Sequence, residues 1–117
     1  MKTEEIQFGA RVPIDSYGTG GFRVAGVARM GPLALFADGP VEWRGWPDAD
    51  VFLARAAEID VLLLGMGADA MPVPPEIGES LRSAGIGFEA MATPSACRTY
   101  NVLLSEGRRV AAALIPL

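Results

Sequence analysis

The chain is expected to fold as an α/β domain, with a central sheet covered by helices above and below and an antiparallel β-hairpin region from the N-terminal half. Three observations predict this. Val61-Leu62-Leu63-Leu64-Gly65 is an apolar run without alternation, the pattern of a strand covered on both faces. From Phe52 onward, segments with helical period and segments with strand character alternate, which implies parallel strands joined by crossovers. Before Trp46, short strands and glycine-rich turns dominate instead. At 117 residues, half of them hydrophobic, the chain fits one domain spanning 1–117 with a real core.

In chain order, Ile14-Asp15-Ser16-Tyr17-Gly18-Thr19-Gly20-Gly21 reads as a loop because three of its last four residues are glycine. Phe22-Arg23-Val24 alternates as a strand does. Leu33 to Phe36 and Val41 to Trp43 flank Ala37-Asp38-Gly39-Pro40, an Asp-Gly hairpin signal. These pieces are expected to form one small antiparallel sheet. Past Pro47-Asp48, the spacing of Phe52, Leu53, Ala56 and Ile59 predicts a helix over Asp48 to Glu58, leading into the central strand Val61 to Gly65. A Met- and Pro-rich loop precedes a second helix, with Ile77, Leu81 and Ala84 on one face and Gly85 as its stop. Ile86 to Met91 is a strand parallel to the central one. Thr93-Pro94 predicts an N-cap followed by proline in the first turn, opening a third helix that runs to Glu106. Its faces are read as Ala96, Thr99, Tyr100 and Leu103 against Arg98, Asn101 and Ser105. Arg109 to Ile115 is the last strand.

Composition excludes several functions. The net charge of −4 and a pI near 4.7 provide no footprint for a nucleic-acid backbone. Histidine is absent, which removes the commonest general base and metal ligand. One cysteine makes neither an internal disulfide nor a thiolate metal cluster, so a cytoplasmic location is expected. The N-terminus carries acids where a signal or transit peptide would be basic, and the longest apolar run is far short of a membrane span. The residues do not indicate an oligomeric state.

Two stretches could hold chemistry. Gly65-Met66-Gly67 at a strand end resembles part of a dinucleotide fingerprint, but a long proline-containing stretch separates it from the next helix, and no P-loop Lys-Ser/Thr follows. A tight exit from a buried strand is the favoured reading. Thr93 to Asn101 could present helix N–H groups to an anion, and the same field with Arg98 adjacent would favour a Cys97 thiolate. Without histidine as a base, a structural Cys97 is favoured. Ligand-binding candidates are therefore Gly65, Gly67, Thr93, Cys97, Arg98 and Asn101, in a cleft between two loops that follow strands of one sheet. No catalytic residue, metal or cofactor is assigned. Glu89 reads as the outer side of a strand, Asp15 and Asp69 as turn residues, and Trp43, Trp46 and Phe52 as closing a core unless exposed.

The C-terminal block Ile86-Gly87-Phe88-Glu89-Ala90-Met91, Thr93-Pro94, Ala96-Cys97, Thr99-Tyr100-Asn101-Val102-Leu103, Glu106-Gly107-Arg108 and Val110 resembles a family of small single-domain proteins of unknown biochemical function from bacteria and archaea. Their mitochondrial relatives are the complex I (NADH:ubiquinone oxidoreductase) assembly factor three proteins. Asp15, Tyr17-Gly18, Gly20-Gly21-Phe22, Gly26, Gly65, Gly67 and Pro75 match too, so the resemblance spans nearly the whole chain. It implies a three-layer fold with a mixed central sheet, and no established reaction or cofactor. It also implies a non-enzymatic interaction or assembly role, with respiratory-complex subunits as partners by analogy. The alternative is a small-molecule or anion binder, or a cysteine-dependent enzyme, using the cleft.

Overall fold

The computed structural model describes residues 8–117. Glu4 and Glu5, on which the reading of the N-terminus turned, lie outside them. Strands β1 (Ile14–Gly18), β2 (Gly21–Val24) and β3 (Val27–Met30) form an antiparallel sheet in that order. The other strands are β4 (Leu33–Phe36), β5 (Gly39–Val41), β6 (Val61–Met66), β7 (Gly87–Met91) and β8 (Val110–Ile115). They make a five-stranded mixed sheet in the order β5-β4-β8-β6-β7, with β6 parallel to both β7 and β8 and the remaining pairs antiparallel. The helices are α1 (Asp50–Leu53), α2 (Pro75–Ser83) and α3 (Thr93–Ser105), with a 3-10 turn at Ala56–Glu58.

Strand periodicity sorts the core into two halves. Leu33, Leu35, Leu63, Val110, Ala112 and Leu114 face α3 and the small sheet, where Ile14, Phe22, Val24, Tyr100 and Leu104 meet them. Ala34, Phe36, Leu62, Leu64, Ala111 and Ala113 face the other way, onto Trp43, Phe52, Ile77 and Leu81. The mixed sheet is thus the middle of three layers. The crossover through α2 steps from β6 out to β7, and that through α3 returns over β6 to β8. Two right-handed crossovers running in opposite directions put their helices on opposite faces, as observed. The alanines of β8 leave room for Tyr100 on one side and the aromatic cluster on the other.

Several expectations need correction. The middle position of the sheet belongs to β8, with β6 beside it. The N-terminal strands do not form one sheet, because β4 and β5 extend the main sheet through β8. Ile14 to Gly18 is strand, not loop, and the glycine signal marks only the turn at Thr19-Gly20. The hairpin of β4 and β5 pairs Phe36 with Gly39, so its turn is Ala37-Asp38, one residue earlier than the Asp-Gly signal places it.

The first helix is also shorter than its periodicity suggests. It stops at Leu53, and a 3-10 turn follows. Only Phe52 and Ile59 of its apolar face are fully buried, too narrow a stripe to hold three helical turns. Arg55 leaves helical geometry, with φ −118° and ψ 26°. Its guanidinium meets Asp38 at 3.1 Å and Glu58 at 2.7 Å, and lies 3.9 Å from the centre of the Phe36 ring.

Candidate functional site

Thr93 is the residue around which the strand ends close. Its backbone N–H donates to the Gly67 carbonyl (2.8 Å), its Oγ1 accepts from the Gly67 N–H (2.8 Å), and its hydroxyl donates to the Ile115 carbonyl (2.6 Å). One side chain, 0% exposed, therefore joins the end of β6, the start of α3 and the end of β8. The expected N-cap is corrected accordingly. Ala92 precedes the first turn, no side chain caps it, and the Thr93 hydroxyl is spent on the sheet. Gly65 lies beneath this knot. A Cβ there would stand 2.9 Å from both Leu114 Cδ2 and Thr93 Oγ1, so the absence of a side chain serves close helix-to-strand packing and leaves no room for a ligand against it. Gly67, at φ +95° with open space around its missing Cβ, is required for conformation alone.

Cys97, Arg98 and Asn101 form a second group, on the side of α3 that meets β1. With Ile14, Asp15, Ser16 and Tyr17 they line a shallow hollow of about 170 Å³. Asn101 accepts from the Ile14 N–H and donates to the Ile14 carbonyl, both at 2.8 Å, so its amide stands in for a neighbouring strand on the outer edge of β1. Arg98 donates to the Tyr17 hydroxyl at 3.2 Å. The six candidates thus separate into Gly65, Gly67 and Thr93 in one place and Cys97, Arg98 and Asn101 in another. Tyr17 was missed because the glycine-rich stretch around it reads as a loop. The buried stripe of α3 is Thr93, Ala96, Cys97, Tyr100 and Leu104 rather than the expected Ala96, Thr99, Tyr100 and Leu103. The helix turns this face to β6 and β8 while offering Asn101 sideways to β1.

Electrostatics at Cys97 run against the thiolate alternative. The side chain is 2% exposed, and burial pushes its pKa from the usual 9.0 up to about 12, with Arg98 opposing this more weakly. Burial also raises the Tyr100 phenol above its ordinary range. In both cases the native state keeps a proton that the unfolded chain gives up, so stability falls as pH rises from about 9 toward 12. Urea unfolding across this window should show wild type losing stability faster than Cys97→Ala, by a margin approaching about 1.4 kcal/mol per pH unit midway between the thiol's unfolded and folded pKa values. Native protein at neutral pH should resist iodoacetamide, with Cys97 labelled only on unfolding. Rapid stoichiometric labelling of the folded chain would reverse this assignment.

The other polar candidates have local roles. Asp15 Oδ2 accepts the Gly26 N–H at 2.8 Å, tying β1 to the turn between β2 and β3. Glu89 and Asp69 are exposed. Trp43 packs edge-on to Trp46 and Phe52 at 5.0 and 5.5 Å and donates its Nε1–H to the Asp48 carbonyl, so this cluster closes one end of the core. Among the described residues no three His, Cys, Asp or Glu side chains gather in a metal-binding group, and no helix is long and apolar enough to cross a membrane.

Fold and site together define a three-layer α/β domain whose most distinctive polar side chains fasten its own backbone. The chain belongs to the family described as protein of unknown function (DUF498/DUF598), which matches residues 14–115. It is 45% identical to an uncharacterized protein of Rhodobacter capsulatus, over 100% of this chain and 94% of that one. It is 33% identical to NADH dehydrogenase (ubiquinone) 1 alpha subcomplex assembly factor 3 of Mus musculus, over 96% of this chain but only 64% of the mouse protein's length. Among solved structures, one described as an outer membrane protein from Bartonella henselae superposes with a TM-score of 0.84 at 35% identity, covering 92% of this chain and 96% of that one.

Proposed function

We propose that this chain is a non-enzymatic protein-interaction domain that acts, like its named relatives, in the assembly of a respiratory NADH:ubiquinone oxidoreductase, working from the cytoplasm. One observation carries the reading. The place where an open α/β sheet ordinarily holds a ligand, at the carboxyl ends of its parallel strands, is filled by Thr93, whose hydroxyl makes two bonds to the strand ends and whose backbone N–H makes a third. Large exposed apolar side chains stand on the outer layer, with Tyr17, Val27 and Met30 on the small sheet and Val102 on α3, as well as past the ends of β6 and β8, at Met71 and Leu117. The relatives named as assembly factors support the same reading.

Deleting the gene in its native cell should lower the amount of assembled oxidoreductase in the membrane, and tagged protein at native expression should recover its subunits. Normal enzyme levels in the deletion strain, with no subunit recovered after efficient capture, would overturn the proposal. A second reading, a binder of small anions, draws on the hollow beside Arg98, Cys97 and Asn101. It requires amide shifts at Tyr17 and Arg98 on titration with inorganic phosphate, and their absence would remove it.

A further inference from the structure

We infer that the outer edge of β3 receives an extended, acidic segment of a partner protein as a fourth strand of the small sheet. This rests on the interaction reading and names the surface and the chemistry of what binds it. The Gly31 N–H donates to the Gly20 carbonyl, so the alternate residues Val27 and Arg29 also direct their backbone groups toward β2. Ala28 and Met30 therefore point their N–H and C=O groups outward, away from the sheet. All four residues of β3 are exposed, with Val27 at 51% and Met30 at 75%. Among the described residues no strand pairs with this edge, and an edge of this kind is a template for strand addition.

The edge opens onto a groove of about 380 Å³, whose far wall is Val41, Glu42 and Trp43. Space for a strand therefore lies where the unpaired backbone groups point. Charge selects the occupant. Strands β1 to β3 carry Arg23 and Arg29 against the single carboxylate Asp15, within a chain of net charge −4. Among the described residues the Arg29 side chain has no hydrogen-bonding partner or ion pair, whereas Arg55 and Arg109 are paired with carboxylates.

A residue of an added antiparallel strand opposite Arg29 would occupy a non-hydrogen-bonded site, where facing side chains come closest, and a carboxylate there would complement the guanidinium. Residues opposite Ala28 and Met30 would lie on the other face and meet the Met30 side chain, so they should be apolar. Glu42 on the far wall holds that carboxylate to the β3 side of the groove. A second copy of this chain fits less well, since two-fold pairing of β3 about Arg29 would bring Arg29 against Arg29, and pairing about Ala28 would set Arg29 opposite Val27, where no carboxylate meets the guanidinium.

The test is selection from a displayed library of random peptides of about eight residues against the folded full chain, followed by binding and amide-shift measurements on the selected peptides. The expected winners lack proline, alternate apolar residues with Asp or Glu, and shift the Ala28 and Met30 amides. Ala28→Pro, which removes an outward N–H, should weaken them about tenfold. Arg29→Glu, which leaves the ladder intact, should turn the selection toward basic peptides, and this second variant decides the matter if Ala28→Pro misfolds. Peptides that bind both variants unchanged, map to another face, or are never enriched would overturn the β3 assignment, as would a dimer formed through β3. The interaction function itself stands or falls separately, on recovery of the oxidoreductase subunits.

Discussion

Thr93→Val should lose about 3 kcal/mol of stability and lower Tm by roughly 10 °C, because a nearly isosteric change strands one buried and one partly buried backbone group at once. The Gly67 N–H and the Ile115 carbonyl, at 2.8 and 2.6 Å from Oγ1, would lose their partner. The incoming methyl is also larger than the oxygen and cannot sit at those distances, so the ends of β6 and β8 would have to spread. Thr93→Ser keeps the hydroxyl and gives up only a methyl group, at about 1 kcal/mol. Denaturant unfolding of both variants separates the two contributions. Equal losses for Val and Ser would mean that packing, not hydrogen bonding, holds the knot. Gly65→Ala should behave like the Val variant, since its Cβ would press on the same hydroxyl from 2.9 Å.

How much of this was legible in the sequence depended on whether a residue's partner lies close along the chain. The apolar run of β6, the helical spacing of Ile77, Leu81 and Ala84, the glycine that ends α2 and the strand character of Ile86 to Met91 are local signals, and β6, β7 and the end of α2 fall within about two residues of where they place them. The three-layer fold and the parallel pairs follow from their order. The roles of Thr93 and Asn101 are set by residues 26 and 87 positions away, which no spacing rule reaches. Thr93-Pro94 has the composition of an N-cap, and nothing local says that its hydroxyl will be drawn to a strand end. Asn101 appears on a helix face as an ordinary polar residue until β1 arrives beside it. Arg55, just past the end of the first helix, likewise pairs with Asp38, on a hairpin 17 residues earlier. Candidate residues were therefore recognised as unusual while their purpose stayed hidden.

Asn101→Leu should detach β1 from α3, with about 2 to 3 kcal/mol lost and amide exchange at Ile14 rising well before that of β6 or β8. The wild-type amide satisfies both backbone groups of Ile14 at 2.8 Å, and a leucine satisfies neither. Asn101→Asp makes a sharper test, because its effect depends on pH. One carboxylate oxygen can still accept the Ile14 N–H, but the other faces the Ile14 carbonyl, and only the protonated acid can donate to it. Folding therefore raises this aspartate's pKa above the unfolded value of about 3.9. The native state then binds a proton that the unfolded chain releases, so stability relative to wild type is greatest below that pH and is lost as pH rises through the folded pKa. The Leu variant, having no ionisable group, should show a deficit that does not change with pH. A pH-independent Asp variant would mean that the amide nitrogen contributes little and that the Ile14 N–H alone anchors β1. Release of β1 would loosen the sheet that carries β3, so binding at the β3 edge should weaken in both variants although neither touches it.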